Sequence, residues 1–218
     1  MSARLLGFAA ALALAAPASA VSVPFTEDFA LNASGWLNAV SGPLTWNASG
    51  GPDGGSYVSS TLGSISGNGT IHFRANDSAN ASGDAFVGNW IGSVSVLTAQ
   101  VIHDAPVPID FFFRFAGATP GQAMVGLQPV AIAPNTWTTI SIAIDPLALT
   151  PAGGTFASVM GNVANLQIGV SVPVAQVNIP FSYGLDKLTV VPIPEPATAG
   201  ILAGGLALLG WGRRRSLR

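Results

Sequence analysis

Glycine and proline interrupt this chain so often that no long helix can run through its middle. The 218 residues include 26 Gly and 16 Pro, with many Ser, Thr and Asn between them. Proline fixes φ and removes a backbone donor, and glycine costs helix stability through its conformational freedom. Asn and Ser divert backbone hydrogen bonds into turns. Short strands joined by many turns are what such a chain can form. Hydrophobic residues reach 49% and charged residues only 8%, against roughly 25% charged in ordinary soluble domains. The length suits one domain plus two short processing segments. With no cysteine, disulfides and Cys-ligated metals are excluded, and stability must come from core burial, helped at most by a bound ion.

Strand patterns recur at short intervals: Phe25–Phe29, Leu44–Trp46, Tyr57–Ser60, Gly69–Ala75, Val94–Val101, Ile109–Ala116, Met124–Pro129, Thr136–Ile144, Leu166–Val172 and Gly184–Val191. Three consecutive phenylalanines, Phe111 to Phe113, predict a strand buried on both faces. One short helix is predicted over Thr155–Val163, with Thr155 as N-cap and Phe156, Val159 and Val163 at helical spacing. Many strands without a βαβ rhythm predict an all-β, two-sheet sandwich across residues 21–190.

The two ends differ from this middle. Residues 1–20 read as a signal peptide: Arg4, an apolar Leu5–Ala16, then Ala18-Ser19-Ala20 as a small-x-small cleavage site. Residues 191–218 have three parts: the proline-rich Val191-Pro192-Ile193-Pro194-Glu195-Pro196, an apolar run over 197–211, and the cluster Arg213, Arg214, Arg215. As a helix the run would span roughly 22 Å, short of a hydrocarbon core of about 30 Å. The arginines form a stop-transfer, positive-inside signal, so the tail would stay cytoplasmic while the N-terminal part is exported.

Removing both ends leaves a domain with nine acids and only three bases, Arg74, Arg114 and Lys187, a net charge of about −6. Nucleic acid is an unsuitable partner for such a surface.

The tail resembles the PEP-CTERM sorting signal of Gram-negative bacteria, carried by Val191, Pro192, Pro194, Glu195 and Pro196, the short transmembrane helix and the Arg cluster. The resemblance implies recognition and cleavage by an exosortase at the inner membrane. It implies release to the cell surface or extracellular matrix, in the setting of exopolysaccharide and biofilm. A plain single-pass anchor is the rival reading.

The middle resembles galactose-binding-like and laminin-IV-type jelly rolls. The residues that carry this are Glu27-Asp28-Phe29 before Gly35-Trp36, the stretch Trp46 to Val58 with Pro52-Asp53-Gly54-Gly55, Thr136-Trp137-Thr138, and the closing Leu185-Asp186-Lys187-Leu188. Lys187 stands where Asn or Asp is usual. The resemblance implies a structural Ca²⁺ site at Glu27 or Asp28, the Asp53–Ser56 loop and Asp186, since Ca²⁺ takes six to eight oxygens from carboxylates and carbonyls. Turn formation alone also accounts for Asp53.

A sugar site would need aromatic faces, and Trp36, Trp46, Tyr57, Trp90 and Trp137 are the candidates. Trp90, in Gly88-Asn89-Trp90, is the one expected in a loop, with Trp36 beside it as a ligand-binding candidate; core packing is the competing role for each. Catalysis lacks a motif. His72 and His103 lie in no metal-binding spacing, and Gly63-Ser64-Ile65-Ser66-Gly67 puts Ile where a nucleophile elbow has Ser. The expectation is a non-enzymatic exported surface protein with a carbohydrate-binding domain. A glycan-active enzyme on the same scaffold and a purely structural surface protein are the alternatives.

Overall fold

The computed structural model describes residues 20–63 and 69–194. The signal peptide expected over 1–20, except its last residue, lies outside them. So do Glu195, Pro196, the expected transmembrane helix 197–211 and the Arg213–Arg215 cluster.

Two antiparallel sheets face each other. Among the described residues eleven strands build them: β1 (Phe25–Glu27), β2 (Thr45–Asn47), β3 (Tyr57–Ser60), β4 (Thr70–Asn76), β5 (Val94–His103), β6 (Asp110–Gly117), β7 (Ala123–Leu127), β8 (Thr138–Ala143), β9 (Thr150–Pro151), β10 (Val163–Ser171) and β11 (Tyr183–Pro192). One sheet runs β2-β3-β11-β5-β8, with β1 also paired to β11; the other runs β4-β10-β6-β7-β9. This is the two-sheet sandwich the punctuated sequence predicts, in the jelly-roll form the resemblance implies. Ten strand predictions match strands within a few residues. The two-residue β9 and the 3₁₀ turns at Asp77–Ala79, Ala81–Asp84 and Val174–Gln176 have no counterpart among them. The helix α1 (Phe156–Met160) is shorter than predicted but capped as expected. The Thr155 side chain accepts from Ser158 N, and Ser158 Oγ accepts from Thr155 N, a reciprocal capping box.

The core lies between the inner faces. On β6, Phe111, Phe113 and Phe115 point inward and are fully buried, as period-2 alternation requires. From the facing sheet Leu97, Val101, Ile140, Leu185 and Leu188 meet the same cluster. Phe112 faces the other way yet is also buried, at 8% exposure. The strand is therefore covered on both faces there, while its neighbour Arg114 is only half-buried.

Two irregularities position the chemistry. On β4 the register with β10 slips between Ile168↔Phe73 and Gly169↔Ile71, so the bulged His72 and its neighbour Phe73 are both buried. On β11 the pairing with β5 slips between Asp186 and Thr189, where Lys187 takes a left-handed φ of 49°. Inward alternation therefore switches from Leu185 to Leu188.

Candidate functional site

The β11 bulge sits in a gap between two partners. One edge of β11 pairs with β3 through Tyr183–Leu185 and with β1 through Leu188–Val190. Between them, among the described residues, Asp186 and Lys187 have no strand beside them on that edge. Asp28 follows the end of β1, and the 53–56 loop precedes β3, so both arrive at this gap. Asp28, Asp53, Gly55, Ser56, Asp186 and Lys187 line a depression of about 280 Å³. The sequence-predicted acids thus converge, but in unequal roles. Glu27 Oε1 accepts from Phe29 N (2.8 Å) and its Oε2 from Ser82 Oγ (2.6 Å), so this carboxylate braces the chain after β1. Asp53 is ion-paired with Lys187 Nζ. Asp186 is 3% exposed and accepts from the Lys187 amide at 2.8 Å.

Burial pushes the Asp186 carboxyl up to about 6. The Lys187 amide opposes this, and the charges of Asp28 and Glu27 add to it. A side chain on Gly51 would stand 2.9 Å from Ser56 O, 3.0 Å from Gly55 O and 3.3 Å from Asp186 Oδ2, so these oxygens crowd one point. Asp28, Asp186 and such carbonyls have the donor chemistry a hard cation takes. Among the described residues no three acidic or histidine side chains stand at metal-binding spacing. Glu27 and Asp53, committed elsewhere, do not add to the set.

The tryptophan expectations need correcting. Trp36 is 1% and Trp90 0% exposed, so neither offers a face to a sugar. Trp36 packs edge-on between Phe29 and Phe86 and donates to Ser82 Oγ at 2.8 Å. Trp90 lies outside the strands, as expected, but its ring packs against Phe115 and its Nε1 donates to Phe86 O at 3.3 Å. Local sequence placed Trp90 in a loop; tertiary packing turned the side chain inward. Trp46 is 39% exposed. Tyr57 and Trp137 are half-buried and stack edge-to-face at 5.3 Å over Gly184.

Both histidines are core residues. His72 is held down to about 4 by burial and lies 4.1 Å, ring to ring, from Tyr183. His103 Nε2 donates to Ile132 O at 2.9 Å, which sets its neutral tautomer, and burial lowers its pKa too.

A second concavity was not singled out by sequence. It lies on the outer face of the five-stranded sheet, where cross-strand pairing sets two rows of side chains. Arg74, Gln167, Arg114 and Val125 form one row, and Ile71, Gly169, Phe112 and Leu127 the next. Adjoining cavities of about 250 Å³ and 390 Å³ share Gly69 and Ile71 in their walls, the larger within the size range of small-ligand sites, roughly 300–1,000 Å³. Phe112 makes the floor of the larger one and is seated on Gly169. A Cβ there would stand 2.3 Å from Phe112 Cζ, so the Phe112 ring lies directly on its backbone.

Arg114 Nη1 donates to Gln167 Oε1 at 2.7 Å. The Asn165 amide oxygen, oriented to satisfy its neighbours, accepts from Gln167 Nε2 (3.1 Å) and Arg74 Nη2 (3.3 Å). Arg74 also reaches Ala39 O and Ser41 Oγ at 3.5 Å, while its Nε is buried with no partner among the described residues. Burial, and then the Arg74 charge, lower the Arg114 pKa. One signal for this face was present in the sequence: Phe112 and Arg114 alternate with Phe111, Phe113 and Phe115.

No family model matches the chain, nor does any curated protein. Solved structures do. The CBM22-1–GH10 modules of Clostridium thermocellum endo-1,4-β-D-xylanase 10B, complexed with xylohexaose, align over 78% of this chain and 28% of that one, at 15% identity and a TM-score of 0.50. An exo-β-agarase aligns over 78% and 25%, at 12% identity and a TM-score of 0.52. The L4b domain of human laminin α-2 aligns over 70% and 98%, at 9% identity and a TM-score of 0.40. The chain spans about a quarter of the length of the xylanase and agarase chains. What is shared with the xylanase and agarase chains at such identities is the fold, a two-sheet jelly roll.

Proposed function

We propose that residues 21–190 form a non-catalytic glycan-binding module, carried by an exported surface or matrix protein. The observation that carries this reading is the cleft on the outer face of the five-stranded sheet. It combines an apolar floor and wall (Phe112, Ile71, Val125, Leu127) with fixed amide and guanidinium donors (Gln167, Arg114, Arg74). Sugars present the same mixture of C–H faces and hydroxyls, and sites of this composition bind them by apolar contact plus a few placed polar groups. A xylanase chain of which one part shares this fold was solved in complex with xylohexaose, which supports a glycan as the ligand class.

Affinity gel electrophoresis of the full chain in gels containing soluble glycans tests the reading. Retardation by at least one glycan is expected. It should be lost in Ile71→Trp, which plugs the wall common to both cavities while unfolding as the parent does. Full retardation of that variant would place binding elsewhere.

The tail gives the delivery: sorting through the PEP-CTERM motif, exosortase cleavage beside Pro194-Glu195-Pro196, and association with exopolysaccharide or biofilm. Mass spectrometry of the surface-bound protein should show a chain without residues 197–218; an intact Arg218 would favour the plain anchor.

We also propose a structural Ca²⁺ held by Asp28, Asp186 and the carbonyls around Gly55 and Ser56. Bound there, it would supply positive charge to a buried carboxylate and tie β1, the 53–56 loop and β11 together. The convergence of Asp28, Asp186 and the Gly55 and Ser56 carbonyls on one depression supports this reading.

A further inference from the structure

We propose that the cleft recognises an anionic glycan, one bearing carboxylate or sulfate groups, through Arg74 and Arg114. This rests on the glycan-binding reading and narrows it.

The domain has three bases against nine acids. Lys187 is spent on Asp53, the single ion pair among the described residues. The two remaining cations are both on the outer face of one sheet. They flank the same residue, since Gln167 pairs with Arg74 on one side and with Arg114 on the other. Two strand spacings put their backbones roughly 10 Å apart.

A carboxylate within ion-pair reach would neutralise either arginine. Here neither guanidinium has one within 4 Å among the described residues. The acid on the outer face of β6, Asp110, is four residues and roughly 13 Å from Arg114 along the strand.

The hydrogen bonds of these arginines go to neutral groups: Gln167, Asn165, Ala39 O and Ser41. These contacts orient the guanidiniums without neutralising them. Two like charges on one sheet face repel each other, and partial burial raises the cost. An anion in the cleft would remove both penalties at once. A guanidinium matches carboxylate and sulfate with its planar fork of donors. The apolar wall at Phe112, Val125 and Leu127 then takes the sugar's C–H face beside the charged group. The rest of the domain is acidic, so a polyanion is held at this cleft rather than by a general basic surface.

The test is affinity gel electrophoresis of the full chain against matched pairs: polygalacturonate and its fully methyl-esterified form, dextran sulfate and dextran. The anionic member of at least one pair should bind at least tenfold more tightly than its neutral counterpart. Arg114→Gln and Arg74→Gln should each weaken that binding at least tenfold with the melting temperature held. Arg114→Lys, which keeps the charge and loses the fork, should fall between and serves if the Gln variant does not fold. Equal binding of neutral and anionic members, or unchanged binding by the arginine variants, would overturn the anionic ligand while leaving the glycan reading intact. Failure to bind any glycan in a wider neutral and acidic panel would overturn both.

Discussion

Asp186 and His72 pull the acid stability of this protein in opposite directions. The unfolded chain protonates His72 at about 6.5, the folded chain only near 4. Between these values the unfolded state binds the extra proton, so stability on this account rises with pH, by at most about 1.4 kcal/mol per pH unit. Buried His103 acts with the same sign. Asp186 does the reverse. Its folded carboxyl takes up a proton near 6, against 3.8 for the ordinary side chain, so its contribution is present below 3.8 and lost as pH rises through 6. Asp186→Asn keeps an acceptor for the Lys187 amide and removes the titration. Without Ca²⁺ we expect it to stabilise the protein at pH 7 by about 1 kcal/mol, discounted for the solvent that reaches the depression. Melting temperatures against pH should then fall more steeply from 6.5 to 4 than in the parent. An unchanged slope would show that Asp186 titrates normally. The two residues also differ in how legible they were. Asp186 stood out through its place in a closing Leu-Asp-x-Leu pattern. The burial of His72 depends on a bulge that no neighbouring residue announces.

At the scale of elements, β10 and α1 give contrasting cases. Gly169 on β10 lies under the Phe112 ring, and an added methyl would also come within 2.7 Å of Thr70 O. Gly169→Ala should therefore cost about 1–3 kcal/mol of overpacking and displace Phe112 from the cleft floor. A denaturant midpoint equal to the parent's would show that the ring is not seated there. In α1, Thr155→Ala removes the side-chain half of the capping box and should cost about 1 kcal/mol, read from the same denaturation curves. The helix start was readable because capping is local: Thr155 and Ser158 are three residues apart. The row Arg74–Gln167–Arg114 was not. Its members come from three strands far apart in sequence, and their adjacency depends on the register of β4, β10 and β6. A one-residue slip would turn all of them to the other face.

For the whole molecule, the gap between β1 and β3 on β11 is where a cation would act on stability. If Ca²⁺ binds at Asp28 and Asp186, millimolar Ca²⁺ should raise the melting temperature and EDTA should lower it, because a ligand selective for the folded state stabilises by mass action, about 2.7 kcal/mol at a hundredfold excess over Kd. Asp186→Asn should abolish the response. Indifference of the parent to both additions would exclude the ion. The sequence by itself determined the architecture. Dense glycine and proline, strand-length apolar runs and period-2 alternation leave a two-sheet sandwich as the way to bury the domain's hydrophobic residues. These are local constraints, and local sequence carries them. The tertiary structure decided which side chains face water. It turned Trp36 and Trp90 into core residues, tied Lys187 to Asp53, and gathered the two remaining bases of the domain on one sheet face. Each of those outcomes depends on pairing between distant segments, where register and packing, rather than residue type, set the direction in which a side chain points.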